Sequence, residues 1–296
     1  MSSHRLIEDV ADTARWVAFH RALESERPDA LFNDPFARRL AGERGRRIAE
    51  NMPSLPFAHP GTRGLTWGLS VRTKVFDELI LDSIRSLDAN AVLNVAAGLD
   101  ARPYRLPLPR SLVWIEADQP AILRSKTEVL AREQPACTVE RIAVNLADAQ
   151  ARQDMFRRIA ATHPRVVVIT EGLLVYLDET VVGSLADELR ALPSMRRWVL
   201  ENISPEGLRQ QMRAWGKILV AGGAPWKFAA PIGLDFFRPH RWSPVVTRSC
   251  IVEARRLNRE EMRHARLLRA LSRLSARFRR RLENTVVYGV LEQSPM

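Results

Sequence analysis

The sequence predicts an α/β fold built on a doubly wound, mostly parallel sheet. Three observations carry that expectation. Short apolar runs alternate with helix-period segments between residues 91 and 202; the first run ends at Gly98; the second ends in Glu116-Ala117-Asp118. Strands separated by helices need crossover connections, which make the strands parallel and collect their ends along one edge. Ligands bind at that edge, where the strand order reverses.

The runs are 91–97, 112–117, 139–144, 166–170 and a fifth that extends from 198–200 to Glu201-Asn202, with helical segments at 119–133, 148–162 and 178–192. The fourth is the plainest strand, five β-branched residues between Pro164 and Gly172. Ahead of the sheet, residues 5–50 read as helices. Asp12 or Thr13 is placed to cap one that runs through Trp16, Val17 and Ala22, and Asn33-Asp34-Pro35 to open another. Prolines and glycines make 51–66 a loop, and 70–86 a helix with Val71, Val75, Leu79 and Ile84 inward. The stretch 203–245 breaks the alternation with Trp215, Gly222-Gly223, Pro225, Trp226, Phe228, Phe236, Phe237 and Trp242. It reads as a substrate lid, a packing subdomain, or both. Residues 285–292 alternate as a strand that closes the sheet. The chain is thus expected to form one domain: a helical cap (1–88), a core (89–202), a lid (203–245), and C-terminal helices with a final strand (246–296).

The length of 296 residues suits one large α/β domain. No secretory h-region follows the first residues, and no window approaches the roughly 18 apolar residues of a membrane span. Cys137 and Cys250 belong to no metal-binding pattern and fit a reducing, cytoplasmic compartment. The net charge of +11 is concentrated at 255–281. A basic stretch can meet nucleic acid, an anionic surface or an acidic partner. Here Leu267, Leu271, Leu274, Phe278 and Leu282 recur at helical spacing, so it reads as an amphipathic helix packed on the core with its arginines in water. No RNA-recognition or zinc-finger pattern accompanies it, so no nucleic-acid partner is expected.

The chemistry begins in Asn94-Val95-Ala96-Ala97-Gly98-Leu99-Asp100. Small residues after a first strand let the backbone approach a ligand closely, although the full Gly-x-Gly-x-x-Gly of dinucleotide sites is missing. An acid about 20 residues further on can accept hydrogen bonds from two ribose hydroxyls. Both Glu116 and Asp118 qualify, and the choice between them stays open. Together these features indicate a cofactor that contains adenosine.

Several longer segments resemble the leucine carboxyl methyltransferase family, above all its bacterial branch with polyketide O-methyltransferases. They are Asp34-Pro35, the run from Arg72 to Asp77, LNVAAGLDARPYRL from Leu93 to Leu106, WIEADQP from Trp114 to Pro120, Lys126, Asn145-Leu146, and EGLLVYL from Glu171 to Leu177. Phe236 to Pro239 and Arg255 to Arg259 also fit. The resemblance implies a Rossmann-like, seven-stranded class I methyltransferase that uses S-adenosyl-L-methionine. By the same resemblance, Arg72 grips the carboxylate of that cofactor, and Arg21 lies near a second basic position. Gly98 underlies the methionine part, Asp118 is preferred to Glu116 for the ribose, Asn145 and Leu146 flank the adenine, and Glu171 faces the methionyl amine. Tyr176 follows on the substrate side.

The sequence departs from the family at three places. Ala96-Ala97-Gly98 replaces Gly-Ala-Gly, which is tolerated if the alanine keeps a negative φ. Asn145 replaces an aspartate. Arg241 stands where relatives often carry glycine.

The implied reaction is methyl transfer from sulfonium to an oxygen of a small molecule, free or bound to a carrier protein. A carboxylate acceptor needs no base at neutral pH, whereas a hydroxyl does. His240 and Tyr176 are the candidate catalytic groups, and Trp215, Trp226, Phe236 and Phe237 can line an apolar pocket or a core. Two rivals are an NAD(P)-dependent oxidoreductase on the same sheet, and a nucleic-acid or anionic-surface binder that uses the basic C-terminal helix.

Overall fold

The computed structural model describes residues 5–55, 66–260, 271–273 and 275–294. Two helices come first, α1 (Val10–Ser25) and α2 (Ala37–Asn51), then α3 (Thr66–Leu87). The sheet and its crossovers follow: β1 (Ala91–Val95), α4 (Arg102–Arg105), β2 (Val113–Asp118), α5 (Pro120–Val129), β3 (Thr138–Ala143), α6 (Ala149–Thr162), β4 (Val166–Thr170), α7 (Glu179–Arg190) and β5 (Met195–Ile203). The chain continues through α8 (Pro205–Ala221), β6 (Trp242–Ser249), α9 (Cys250–Arg256), α10 (Ala276–Glu283) and β7 (Val286–Gln293). Short 3-10 turns lie at Leu174–Tyr176 and Gly233–Phe237.

The strands form one seven-stranded sheet in the order β3-β2-β1-β4-β5-β7-β6. β1 pairs parallel with both β2 and β4, in register at Leu93↔Ile115 and Leu93↔Val168; β2–β3 and β4–β5 are parallel too. The order therefore reverses between β1 and β4, which is where such sheets bind ligands. β1 and β4 are buried along their whole length, as expected of parallel strands covered on both faces.

Chain contacts divide the molecule into two compact units. The first comprises Met1–Val75, Asn202–Gly233 and Arg248–Tyr288; the second comprises Phe76–Glu201, Leu234–Thr247 and Gly289–Met296. In the first, Trp215 of α8 packs edge-on against Trp16 of α1 at 5.2 Å and donates from Nε1 to the Pro53 carbonyl at 2.7 Å. In the second, Trp198 of β5 packs against Phe237 and Trp242 at 5.0 and 5.6 Å and donates from Nε1 to Thr170 Oγ1 at 2.8 Å. Trp215 and Trp198 are each anchored by one polar bond.

Several expectations are corrected. α1 is capped by Asp9, whose carboxylate accepts the Asp12 N–H; Asp9 alone has the extended backbone a cap needs. Asp12 instead accepts from Arg44. α2 starts at Ala37, beyond Pro35, because the Asp34 carboxylate is engaged by Arg21 and by the Phe36 N–H. β6 forms inside the stretch read as irregular. It is an edge strand whose mostly half-exposed residues give little sequence signal. β7 does not close the sheet but inserts between β5 and β6, which buries Val287 to Leu291 without alternation. The basic C-terminal segment is not one core-packed helix. Ser275 is extended and caps a separate α10, in which no residue is buried; Phe278 and Leu282 are half-buried and Leu271 is exposed. Leu267, Leu274 and the loop residues 56–65 lie outside the described residues. Among the described residues no helix is long and apolar enough to cross a membrane, and no group of acids, histidines and cysteines is placed to hold a metal ion.

Candidate functional site

At the switch point β1 ends and the chain turns sharply. The Ala96 and Ala97 amides both donate to the Ala117 carbonyl, at 2.8 and 3.3 Å, which binds the loop to β2. Ala96 has φ +58 and Gly98 φ +50. The sequence-based condition of a negative torsion at the alanine is therefore not met, and the turn holds an L-residue in the left-handed region.

Asp118, the last residue of β2, is half-buried. Its Oδ2 accepts the Gly98 N–H at 2.6 Å and its Oδ1 the Gln119 N–H at 2.7 Å. Burial raises its pKa, and the two amides and Lys126 oppose the rise. Glu116 stands apart. It is fully buried and pairs with Lys126 Nζ at 2.6 Å and Arg141 Nε at 2.9 Å. Each of its oxygens accepts from one cation, and with 0 % exposure the acid sits inside a buried ion pair rather than at an open strand end.

Glu171 follows β4. Its Oε2 accepts from Arg102 Nη1 at 2.7 Å, and the same nitrogen donates to Asp100 Oδ2 at 2.9 Å. Arg102 Nε reaches Asp77 Oδ1 at 2.6 Å, Arg105 binds both Asp77 oxygens, and Asn94 of β1 donates to Asp100 Oδ2. Burial opposes the charge on Arg102, but Asp100, Glu171 and Asp77 hold its pKa well above the ordinary value. Gly172, at φ +69, donates its N–H to Glu201 Oε1 at 2.6 Å. Sequence reasoning gave no role to Asp77, Asp100, Arg102 or Glu201. The available signal was a run of charges inside otherwise apolar segments.

The other candidates scatter. Asn145 is exposed, and its Oδ1 accepts the Ala147 N–H at 3.1 Å in a local turn. Leu146 is half-buried and lines a small apolar cleft with Val95, Leu173 and Leu177. Tyr176 is half-buried in its 3-10 turn. Arg72 is half-buried on α3, in the first unit. Arg21 is 8 % exposed and committed to Asp34 at 2.9 Å, which makes it a structural cation. Trp215 and Phe237 are fully enclosed in separate cores, so neither lines a pocket. Trp226 and Phe236 are half-buried; Trp226 packs on Trp215, and Phe236 on Phe237 and His240. His240 lies over Gly183 of α7, with Nδ1 2.8 Å from the exposed Asp187. That contact sets it beside a carboxylate at the surface of α7.

The sheet order and the switch-point loop define a class I methyltransferase fold, whose cofactor is S-adenosyl-L-methionine. The leucine carboxyl methyltransferase family model matches residues 14–190, and the chain belongs to that family. A provisionally named S-adenosyl-L-methionine-dependent methyltransferase of Mycolicibacterium gilvum is 34 % identical over 197 residues, 63 % of this chain and 64 % of that protein. One from Mycolicibacterium smegmatis is 32 % identical over 225 residues, 69 % of this chain and 73 % of the other. The chain thus spans a little under two thirds of the length of the first of these relatives. A crystal structure of a provisionally named methyltransferase from Thermobifida fusca shares the fold at TM-score 0.59 and 13 % identity, covering 98 % of this chain and 96 % of that one.

The acceptor groups of the site fit the cofactor. Half-buried carboxylates end β2 and follow β4, on either side of a loop of small residues. They suit ribose hydroxyls and a cationic amino acid part.

Proposed function

We propose that this chain transfers a methyl group from S-adenosyl-L-methionine to an oxygen, carboxylate or hydroxyl, of a small organic acceptor of the kind handled in polyketide or other secondary metabolism. The observation that supports it best is the pairing of Asp118 and Glu171 at the ends of β2 and β4, the strands that flank β1 and its loop. In this reading Asp118 holds the ribose, Glu171 the amine, Gly98 leaves room for the methionine part, Leu146 packs on the adenine, and Asn145 stands beside it. Arg72 holds the carboxylate, and residues 203–245 act as the lid over the acceptor.

When bound, the cofactor supplies a methyl group made electrophilic by the positive sulfur. The chain's own contribution is alignment and exclusion of water. Arg102 keeps Glu171 from rotating by fixing one of its oxygens, so the carboxylate is presented in one orientation.

Calorimetric titration with S-adenosylhomocysteine tests the reading, with NADH as control. Saturable binding of S-adenosylhomocysteine, weakened at least about tenfold in Arg72→Ala through loss of a charge-assisted bond, supports it. Binding of NADH instead overturns it.

A further inference from the structure

A buried ion pair reaches the loop after β3. Arg152 of α6 donates from Nε and Nη2 to the two carboxylate oxygens of Glu188 of α7, at 2.7 and 2.6 Å, and from Nη1 to the Leu146 carbonyl at 2.6 Å. The Arg152 side chain is 5 % exposed and that of Glu188 10 %. Arg152 also lines the apolar cleft of Leu146, Val95, Leu173 and Leu177. All of these residues lie in the second unit.

Such a pair is a poor source of stability. Taking a guanidinium and a carboxylate out of water costs about as much as their attraction returns, and apolar residues of similar volume often serve as well or better. What apolar residues cannot do is hold a carbonyl in place. The guanidinium is a rigid fork of N–H donors. One side grips Glu188, which aims the remaining nitrogen at the Leu146 carbonyl. Asn145, Ala147 and Asp148 around it are exposed, so water could satisfy that carbonyl equally well. The bond to Arg152 therefore sets position rather than filling a need.

We infer that Arg152 and Glu188 are positioning residues of the cofactor site, which hold the Leu146 loop against α7 so that the cleft stands preformed for the adenine; this rests on the reading of Leu146 as the neighbour of that base. A loop held in one conformation before the ligand arrives loses less freedom on binding, and the difference appears as affinity. The effect is confined to the base end, since Asp118 and Glu171 are fixed by other bonds, to Gly98 and to Arg102.

The test is made on the full chain with S-adenosylhomocysteine, by calorimetry, and with S-ribosylhomocysteine, which lacks the base, by competition. Arg152→Lys and Glu188→Gln are expected to weaken S-adenosylhomocysteine at least about fivefold and to leave S-ribosylhomocysteine within about twofold. The double variant Arg152→Met with Glu188→Met is expected to melt at the same temperature or higher, yet to show the same loss of S-adenosylhomocysteine affinity. Unchanged S-adenosylhomocysteine affinity, or equal loss for both ligands, overturns the inference and leaves the pair merely structural. Leu146→Ala is measured alongside. If it leaves S-adenosylhomocysteine affinity unchanged, the adenine reading falls and the inference with it. If it weakens binding while the Arg152 and Glu188 variants do not, the inference alone falls. No binding of S-adenosylhomocysteine to the wild type overturns the methyltransferase reading and all that rests on it.

Discussion

The Gly98 amide donates to Asp118 Oδ2 at 2.6 Å, which ties the loop after β1 to the last residue of β2. One carboxylate thereby sets the loop and also stands at the ligand edge. Asp118→Ala leaves the Gly98 and Gln119 amides without this acceptor. It should lower stability by about 1–3 kcal/mol in urea denaturation and weaken S-adenosylhomocysteine at least about tenfold by calorimetry. Unchanged affinity would remove Asp118 from the cofactor site.

Lys126 should separate the two acids of β2. It pairs with the buried Glu116 at 2.6 Å. Lys126→Met leaves that carboxylate short of a cation and should cost about 3–5 kcal/mol. In the fraction that stays folded, S-adenosylhomocysteine affinity should hold within about twofold, as a structural pair predicts. A tenfold loss without loss of stability would mean that Glu116 serves the ligand after all.

Ala96 at φ +58 and Arg241 at φ +60 carry side chains where glycine is favoured. The left-handed region costs an L-residue about 1–2 kcal/mol, and the extra freedom of unfolded glycine takes back about 0.4–1 kcal/mol. Ala96→Gly and Arg241→Gly should each stabilise by about 0.5–1 kcal/mol. The sites are far apart in sequence, so additivity in the double variant is the further check. Destabilisation by either change would mean that the side chain contributes packing that outweighs the strain.

Burial pushes the His20 imidazole down to about 4 from its ordinary 6.5. The folded value is the lower one, so the stabilising preference for neutral imidazole is complete above about pH 6.5 and is lost as pH falls toward 4. The loss should amount to on the order of 3 kcal/mol. Melting temperatures of wild type and His20→Phe should therefore diverge progressively across this window, with the wild type falling faster. Parallel curves would mean that the imidazole is solvated.

Much of the architecture was readable locally. Val166–Thr170 is a strand in the sequence and in the structure, because a run of β-branched residues with no break has no other stable use. Asp148, read as the first residue of its helical segment, instead caps α6, its carboxylate accepting the Ala151 N–H. The order of the motifs placed the loop at 96–98 and the acids at 116–118 on one sheet edge, since parallel crossovers leave no alternative.

The assignment of like residues to unlike tasks was decided only in three dimensions. Glu116 and Asp118 differ by two positions, yet one faces Lys126 and Arg141 and the other the loop, because α5 and β3 bring cations to one of them alone. Trp215 and Phe237 are hydrophobic anchors of two separate cores, while the ring nitrogens of Trp16 and His20 are buried with no hydrogen-bond partner among the described residues. β6 and the inner place of β7 depend on pairings between distant segments. Composition and periodicity report what a residue can bury; which neighbour it meets is set by packing across the fold, and that determines whether a charge is structural or free to act.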